Sequence, residues 1–232
     1  MSSNANVPSL DDPHGGLAPG RAGVPLADAS FALLLMHGRG DTPEGLLPLG
    51  RAVGAVDGAV IAPRAAGNSW YPHRFLDPVS MNAPWLASAL SAVDRAVQSA
   101  VTAGIPVERV VLAGFSQGAC LALEYAARTP QRYGGVAALA GALIGDDREI
   151  RHDARSLQGT SVLLACGNAD LHIPESHVRD SALSFAALGA VVDMRIYPGV
   201  GHTVVADQLD ALRAMIDQVR TLAAASEATR GR

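Results

Sequence analysis

Lysine does not occur in this chain, so all 18 of its basic residues are arginines. Charged residues make up only 17% of the 232 residues, and the formal net charge is −4. Nucleic acids and anionic membrane surfaces both require a basic protein surface as their partner. The composition therefore argues against either of them as a partner.

Cysteine is also scarce, since Cys120 and Cys166 are the only two. Both lie in apolar segments, which is typical of small buried side chains rather than of a disulfide framework. The first residues lack the basic stretch and following apolar stretch of a secretory signal. No apolar run approaches the roughly 20 residues that a transmembrane helix needs. We therefore expect no membrane span and a reducing, cytoplasmic location.

Short apolar runs alternate along the chain with longer amphipathic segments. Runs that are apolar on both faces suit parallel strands covered by helices on each side. The strand candidates are residues 31–36, 59–63, 110–115, 135–141, 161–166 and 191–197. The helix candidates are residues 42–53, 84–101, 117–128, 175–188 and 204–225. This alternation predicts an α/β fold with an open, mostly parallel sheet and helices on both faces.

The domain organisation follows from length and composition. Residues 1–30 are rich in Gly, Pro, Asp and Ala, and we expect a loose N-terminal tail with one short edge strand. Residues 31–225 are expected to form a single domain, without an insertion large enough to be a cap. Residues 226–232 are expected to be a C-terminal tail.

The most informative short motif is the pentapeptide GFSQG at residues 114–118, between a strand candidate and a helix candidate. A sharp strand-to-helix turn holds a serine in a strained conformation at the carboxyl edge of the sheet. The flanking glycines let neighbouring backbone pass without a Cβ clash. With 24 glycines in the chain the bare motif is a weak signal, so its interpretation depends on its strand and helix context. In that context Ser116 is the predicted nucleophile.

A serine hydroxyl needs a neighbouring base, and the base needs an acid that orients it. Asp170 follows the apolar run 161–166, and His202 follows the run 191–197. Both positions lie just past the carboxyl end of a strand, in the chain order serine, acid, histidine. We therefore predict His202 as the general base and Asp170 as the acid that orients it.

The other acids and histidines fit these roles less well. Asp193 lies inside a strand candidate, and Asp146 and Asp147 lie in a polar loop after an earlier strand. His177 falls within a helix candidate, and His172 is expected to pack beside the site. Together with the predicted base, these histidines have a spacing that fits no usual zinc signature. No metal site is therefore predicted.

Acyl chemistry at a serine also needs two N–H donors for the negatively charged oxygen of the tetrahedral intermediate. One candidate is the backbone N–H of Gln117, at the start of the helix after the serine. The second candidate is the N–H of Arg39, in the glycine-flanked segment HGRGD that follows the strand candidate 31–36. An ordinary strand–helix connection is the alternative interpretation of that segment.

Aromatic residues number only ten, yet Trp70, Tyr71, Phe75 and Trp85 fall within 16 positions of one another. This stretch follows the strand candidate 59–63, on the carboxyl side of the sheet, where ligands bind in open α/β sheets. Trp70, Tyr71 and Phe75 are therefore predicted to line one wall of an acyl pocket. A loop packed down by its own aromatic side chains explains the pattern equally well.

Four segments, residues 37–49, 69–78, 114–126 and 197–204, together resemble the phospholipase/carboxylesterase family of small α/β-hydrolases. Acyl-protein thioesterases and bacterial carboxylesterases belong to this family. The resemblance extends over residues 31–220 and implies the α/β-hydrolase fold without a cap domain. It also implies an enzyme without metal or other cofactor that often forms a homodimer.

By this resemblance, Ser116, Asp170 and His202 match the family's catalytic triad, and Arg39 and Gln117 match its oxyanion positions. The opening antiparallel hairpin of the family looks shortened here, which leaves the first edge of the sheet undefined.

The sequence thus predicts a serine hydrolase acting on carboxylic esters or thioesters of small to medium acyl groups, through an acyl-enzyme intermediate. The expected partner is a small-molecule ester. Three alternatives stay open: a lactone or dienelactone-type hydrolase, a lysophospholipase using the same site, and a non-catalytic α/β-hydrolase that binds a ligand.

Overall fold

The computed structural model describes residues 11–145 and 156–230. In this part of the chain seven strands form one sheet. They are β1 (Gly20–Gly23), β2 (Ala32–Met36), β3 (Ala59–Ala62), β4 (Val110–Phe115), β5 (Gly135–Leu139), β6 (Ser161–Gly167) and β7 (Val191–Tyr197). The strand order is β1-β3-β2-β4-β5-β6-β7. Only the β1–β3 pair is antiparallel, and the other five pairs are parallel.

Five α-helices accompany the sheet in the described residues. They are α1 (Pro43–Ala52), α2 (Trp85–Thr102), α3 (Gln117–Arg128), α4 (Glu175–Ala187) and α5 (Ala206–Arg230). The residues around Thr42 explain why α1 begins there. Thr42 adopts extended backbone, its side chain accepts a hydrogen bond from the Gly45 N–H at 3.3 Å, and proline occupies the first helical turn.

The helices cover both faces of the sheet, and each face has its own apolar core. Leu34 and Met36 of β2 point into the core that α2, α3 and α4 cover. Leu33 and Leu35 of the same strand point into the core that α1 and α5 cover. Successive side chains of a strand point to opposite faces, so a strand buried on both faces must be apolar throughout. The predicted mostly parallel α/β architecture is confirmed.

The N-terminal segment contains a short edge strand, and it is more buried than the loose tail that the composition suggests. Residues 13–15 are buried, and β1 forms an edge strand at Gly20–Gly23. Composition identifies residues that disfavour regular structure, but it does not show whether another part of the chain covers them. The division into a tail, a domain over residues 31–225 and a C-terminal tail stays a prediction.

The last helix and the last strand also differ in detail from their predicted form. Helix α5 continues to Arg230, beyond the predicted end at residue 225. Strand β7 occupies the predicted residues, but it lies at the edge of the sheet and is only partly buried. An edge strand has a neighbouring strand on one side alone, so its side chains are less covered than those of a central strand. The apolar run alone therefore suggests more burial than β7 has.

Candidate active site

Ser116 lies in a sharp turn between β4 and α3. Its backbone has φ 54° and ψ −121°, and this positive φ is one that residues other than glycine rarely adopt. The Ser116 N–H donates to the Leu139 carbonyl of the neighbouring strand β5 at 3.0 Å, which holds the turn against the sheet. A strained serine retained in this way is the local geometry expected of a nucleophile.

The two glycines around Ser116 are required by close packing. A Cβ atom on Gly114 would lie 2.4 Å from the Gly118 carbonyl carbon and oxygen. A Cβ atom on Gly118 would lie 2.0 Å from the Met36 carbonyl oxygen at the end of β2. Helix α3 can therefore approach β2 only because residue 118 lacks a side chain.

Three side chains from separate strand ends meet at this turn. His202 Nε2 lies 2.7 Å from Ser116 Oγ, and His202 Nδ1 lies 2.6 Å from Asp170 Oδ2. Ser116 follows β4, Asp170 follows β6 and His202 follows β7, all at the carboxyl edge of the sheet. The structure thus joins the serine, histidine and aspartate selected from the sequence in one continuous hydrogen-bonded line.

The Asp170 carboxylate is held by several donors and its side chain is fully buried. Its Oδ1 accepts the N–H groups of His172 at 2.8 Å and Ile173 at 3.0 Å, while its Oδ2 faces His202. Burial raises the pKa of Asp170, but the hydrogen bonds from His202 and the two N–H groups outweigh it and lower the pKa below its ordinary value. The carboxylate therefore stays ionised and fixed in orientation.

The His202 loop, which follows β7, packs closely against the end of β6. A Cβ atom on Gly167 would lie 2.0 Å from the Val200 carbonyl oxygen, and Asn168 Oδ1 accepts the Gly199 N–H at 2.7 Å. The His202 ring lies 4.8 Å from the His172 ring, with an edge-to-face orientation. His172 thus packs beside the site, where the sequence places it.

The segment HGRGD forms the turn that faces Ser116. A Cβ atom on Gly38 would lie 3.6 Å from the Ser116 Cβ, so the turn lies close to the serine. The Gly40 N–H donates to the Asn68 carbonyl at 2.7 Å, which links the turn to the loop after β3. In the described residues, the backbone N–H groups of Arg39 and Gln117 have no hydrogen-bond acceptor. Two unused donors thus flank the serine.

The side chains of these two residues have a role that the sequence does not reveal. The Arg39 guanidinium donates to the carbonyls of Tyr71, Pro72 and His73 at 2.7–2.9 Å. Gln117 Oε1 accepts the Trp70 N–H at 2.9 Å, and Gln117 Nε2 donates to the Tyr71 carbonyl at 2.8 Å. Both side chains hold the loop over residues 69–73. The oxyanion prediction concerns only the backbone N–H groups of these residues, so it does not reveal this role of the side chains.

An open cavity of about 770 Å³ lies in front of Ser116. It is lined by side chains from the turn, the aromatic stretch and the loop after β6: Arg39, Tyr71, Pro72, His73, Arg74, Phe75, Asp77, Ser116, Gln117, Cys120, Leu171, His172, Ile173 and His202. Tyr71 and Phe75 line this cavity, as the pocket hypothesis requires. Its size suits a small or medium organic substrate.

Trp70 corrects the pocket hypothesis. Its side chain is fully buried and does not line the cavity, because its indole N–H donates to the His37 carbonyl at 2.8 Å behind the turn. Clustering of aromatic residues indicates an apolar surface, but it does not show which side chains face the substrate. Trp70 therefore supports the wall rather than forming it.

The competing candidates lie away from the serine. Asp193 pairs with Arg195 on the exposed edge strand, and His177 on α4 packs against Phe75, with 5.9 Å between the ring centres. Asp146 and Asp147 lie outside the described residues.

Across residues 11–145 and 156–230, no group of three His, Cys, Asp or Glu side chains has an arrangement that could hold a metal ion. Over the same residues, no helix is both long and apolar enough to cross a membrane.

The sheet order, the strand–serine–helix turn and the serine–histidine–aspartate line define the α/β-hydrolase class. A sequence model of one family in that class, described as Phospholipase/Carboxylesterase, matches residues 25–220. The chain belongs to this phospholipase/carboxylesterase family, as its sequence resemblance predicts.

Individual relatives agree with this assignment. The chain is 38% identical to a phospholipase/carboxylesterase from Dyadobacter fermentans DSM 18053, whose crystal structure matches with a TM-score of 0.82 over 86% of this chain and 95% of that chain. It is 27% identical over 223 residues to acyl-protein thioesterase 1 from Eremothecium gossypii, covering 86% of this chain and 92% of that protein. The Bacillus cereus carboxylesterase shares the fold, with a TM-score of 0.68 at 18% identity over 87% of this chain and 94% of that chain.

Proposed function

We propose that this chain is a serine hydrolase that cleaves carboxylic ester or thioester bonds of small to medium acyl substrates. The observation that carries the proposal is the hydrogen-bonded line from Ser116 Oγ through His202 to Asp170, with heavy-atom distances of 2.7 and 2.6 Å. The similarity to carboxylesterases and acyl-protein thioesterases supports ester and thioester substrates. The homodimer and the cytoplasmic location that the sequence suggests stay predictions.

The first half of the proposed reaction forms an acyl-enzyme. His202 Nε2 accepts the Ser116 hydroxyl proton while Oγ attacks the carbonyl carbon, and the carbonyl electron pair moves onto oxygen. When the tetrahedral intermediate collapses, His202 returns that proton to the departing alcohol or thiol. Asp170 keeps the proton of the neutral ring on Nδ1 and stabilises the imidazolium that forms.

The second half releases the acyl group. A water molecule gives its proton to His202 and attacks the acyl carbon, after which the protonated ring returns a proton to Ser116 Oγ. The acid is released and the serine is regenerated. Every proton and electron pair moves between side chains, substrate and water, so the proposed reaction uses no cofactor.

We assign stabilisation of the oxyanion to the backbone N–H groups of Arg39 and Gln117. Both donors lack acceptors among the described residues and lie on segments close to Ser116. The Gln117 N–H is also at the N-terminus of α3, where the helix dipole favours negative charge. Donors of this kind, fixed before the reaction begins, typically lower the barrier by several kcal/mol, about 3 kcal/mol for each donor.

The test is a panel of p-nitrophenyl esters with acyl chains of increasing length, together with acyl thioesters. We expect turnover by the wild type and its loss in Ser116→Ala. Ser91→Ala is the matched control, because Ser91 is an exposed serine on α2 whose hydroxyl donates to the Ala87 carbonyl. Turnover that persists undiminished in Ser116→Ala contradicts the proposal.

The same panel tests the cavity wall that we assign to Tyr71 and Phe75. Phe75→Ala should shift the preference towards longer or bulkier acyl groups, because it enlarges the cavity. Leu76→Ala is the control, since Leu76 packs against the core in the same stretch but does not line the cavity. Identical chain-length profiles for the two variants would remove the wall assignment.

A further inference from the structure

The buried N-terminal segment reaches the loop beside the proposed oxyanion site. His14 is only 1% exposed, and its side chain contacts Trp70 and Ala66, more than 50 positions further along the chain. No feature of the proposed reaction requires a histidine there. Its burial and its long-range contacts therefore need a separate explanation.

Helix α2 fixes the backbone of this segment. The His14 N–H donates to Ser88 Oγ at 2.9 Å, and Arg95 donates to the His14 carbonyl at 3.1 Å. Asp12 Oδ1 accepts a hydrogen bond from the Ser88 hydroxyl, and Asp12 Oδ2 forms an ion pair with Arg95, with 3.5 Å between the charged atoms. The backbone of the histidine is thus held against α2 rather than left as a free tail.

The hydrogen bonds of the His14 ring define its tautomer. Nδ1 lies 3.0 Å from the Ala66 nitrogen and accepts its N–H, so the ring proton is on Nε2, which donates to the Trp70 carbonyl at 2.9 Å. The ring also contacts the side chains of Trp70 and Trp85, each with 5.5 Å between ring centres. His14 therefore holds both ends of the 66–70 loop.

Trp70 transmits this restraint to both oxyanion segments. Its backbone N–H donates to Gln117 Oε1 at 2.9 Å, at the start of α3. Its indole N–H donates to the His37 carbonyl at 2.8 Å, two residues before the proposed donor Arg39. A shift of Trp70 would therefore displace the support of both donors at once.

We infer that His14 is a positioning residue for the oxyanion hole: it fixes Trp70, and Trp70 fixes the segments that carry the Arg39 and Gln117 donors. This inference rests on the proposed function. Donors aimed at a developing charge lose much of their effect when displaced, and a misplacement of about 1 Å can reduce the rate by about 10². His14 thus acts through geometry, without contact with the substrate.

Two substitutions separate the hydrogen bonds of His14 from its packing. His14→Phe keeps a ring between the two tryptophans but removes both hydrogen bonds. His14→Gln loses the ring but retains an amide oxygen and an amide N–H that can replace the two bonds. We expect kcat to fall about tenfold or more in His14→Phe with KM changed by less than about twofold, and to stay within about threefold of the wild type in His14→Gln.

Thr160→Val is the control for loss of stability alone. Thr160 is buried, accepts the Tyr133 N–H at 3.0 Å and lies just before β6, away from the proposed site. This variant should lower the thermal unfolding temperature without lowering kcat.

A His14→Phe enzyme with wild-type kcat overturns the inference, and so does a His14→Gln enzyme that is as slow as His14→Phe or slower. If His14→Phe does not fold, a tenfold loss of kcat in His14→Gln still overturns it.

Failure of this inference is distinguishable from failure of the proposed function. Esterase activity in the wild type that is lost in Ser116→Ala supports the function whatever the His14 variants do. A wild type without hydrolase activity overturns the proposed function, and the positioning role with it.

Discussion

The two oxygens of the Asp170 carboxylate have different partners. Oδ1 accepts two backbone N–H groups, and Oδ2 faces His202 Nδ1 at 2.6 Å. Because these hydrogen bonds outweigh burial and lower the pKa of Asp170, the carboxylate remains ionised at pH values where an ordinary carboxyl begins to titrate. It can therefore fix the tautomer of His202 throughout the neutral range.

Asp170→Asn tests this role at almost constant shape. The amide oxygen can keep the two backbone N–H donors, but an amide NH₂ facing His202 Nδ1 would favour the tautomer with its proton on Nε2. That nitrogen could then no longer accept the Ser116 proton, and we expect kcat to fall on the order of 10⁴. Steady-state kinetics and circular dichroism on the folded variant give the measurement. Asp193→Asn, on the exposed edge strand, is the matched control. A variant at position 170 that keeps most of the wild-type kcat contradicts the assigned role.

The turn between β4 and α3 depends on the contact of that helix with β2. A Cβ atom on Gly118 would meet the Met36 carbonyl oxygen at 2.0 Å, and backbone on both sides leaves no flexible group to move. We expect Gly118→Ala to lower the free energy of unfolding by about 3 kcal/mol, the upper part of the usual range for overpacking. Urea unfolding gives this free energy.

The control for this prediction is Gly201→Ala. Residue 201 has ordinary backbone, and its added Cβ would lie 4.0 Å from the nearest atom, the Ala169 carbonyl oxygen. Its free energy of unfolding should change by less than about 1 kcal/mol. Equal losses in the two variants would show that close approach at Gly118 is not the cause.

Among the strands and helices, the predictions from the sequence agree best with the structure, in bounds and in burial, where an apolar run is also buried. The run at residues 110–115 is β4 with the predicted bounds, and the helix at 117–128 is α3, because parallel strands buried on both faces leave a continuous apolar signal. Ser116, Asp170 and His202 could be selected because the serine motif and the strand ends give each a defined position along the chain.

The parts that the sequence did not predict depend on long-range contacts. His14 reaches its partners across the chain, and the side chain of Gln117 contacts the loop at residues 70–71. No periodicity links such positions. The aromatic cluster predicts Trp70 in the pocket wall, because composition identifies the cluster but not the direction of each side chain. Its buried indole reverses that assignment.

In the part of the chain that the structure describes, His14 and His37 are two buried histidines whose charge state is coupled to folding. Burial lowers the pKa of both His14 and His37, and each accepts a backbone N–H, at Ala66 and Ala65 respectively. In the unfolded chain these histidines bind a proton near pH 6.5. The folded state therefore binds fewer protons below that pH, and its stability falls as the pH decreases.

We accordingly expect a lower urea midpoint at pH 5.5 than at pH 7.5. The drop should be smaller in His14→Gln, because glutamine does not titrate. The depressed pKa of Asp170 adds its own loss only at more acidic pH, as the pH falls through the folded-state value. Equal midpoints at pH 5.5 and 7.5 in the wild type would contradict the account of the buried neutral histidines.

The central claim is that one serine of the whole chain is activated, because the fold joins three strand ends in a single hydrogen-bonded line. Covalent labelling with a fluorophosphonate tests it most directly, with the modified residue located by mass spectrometry. We predict one adduct per chain, on Ser116, formed much more slowly in His202→Ala. An adduct on a different serine, or no adduct in a folded protein that still hydrolyses esters, would contradict the account.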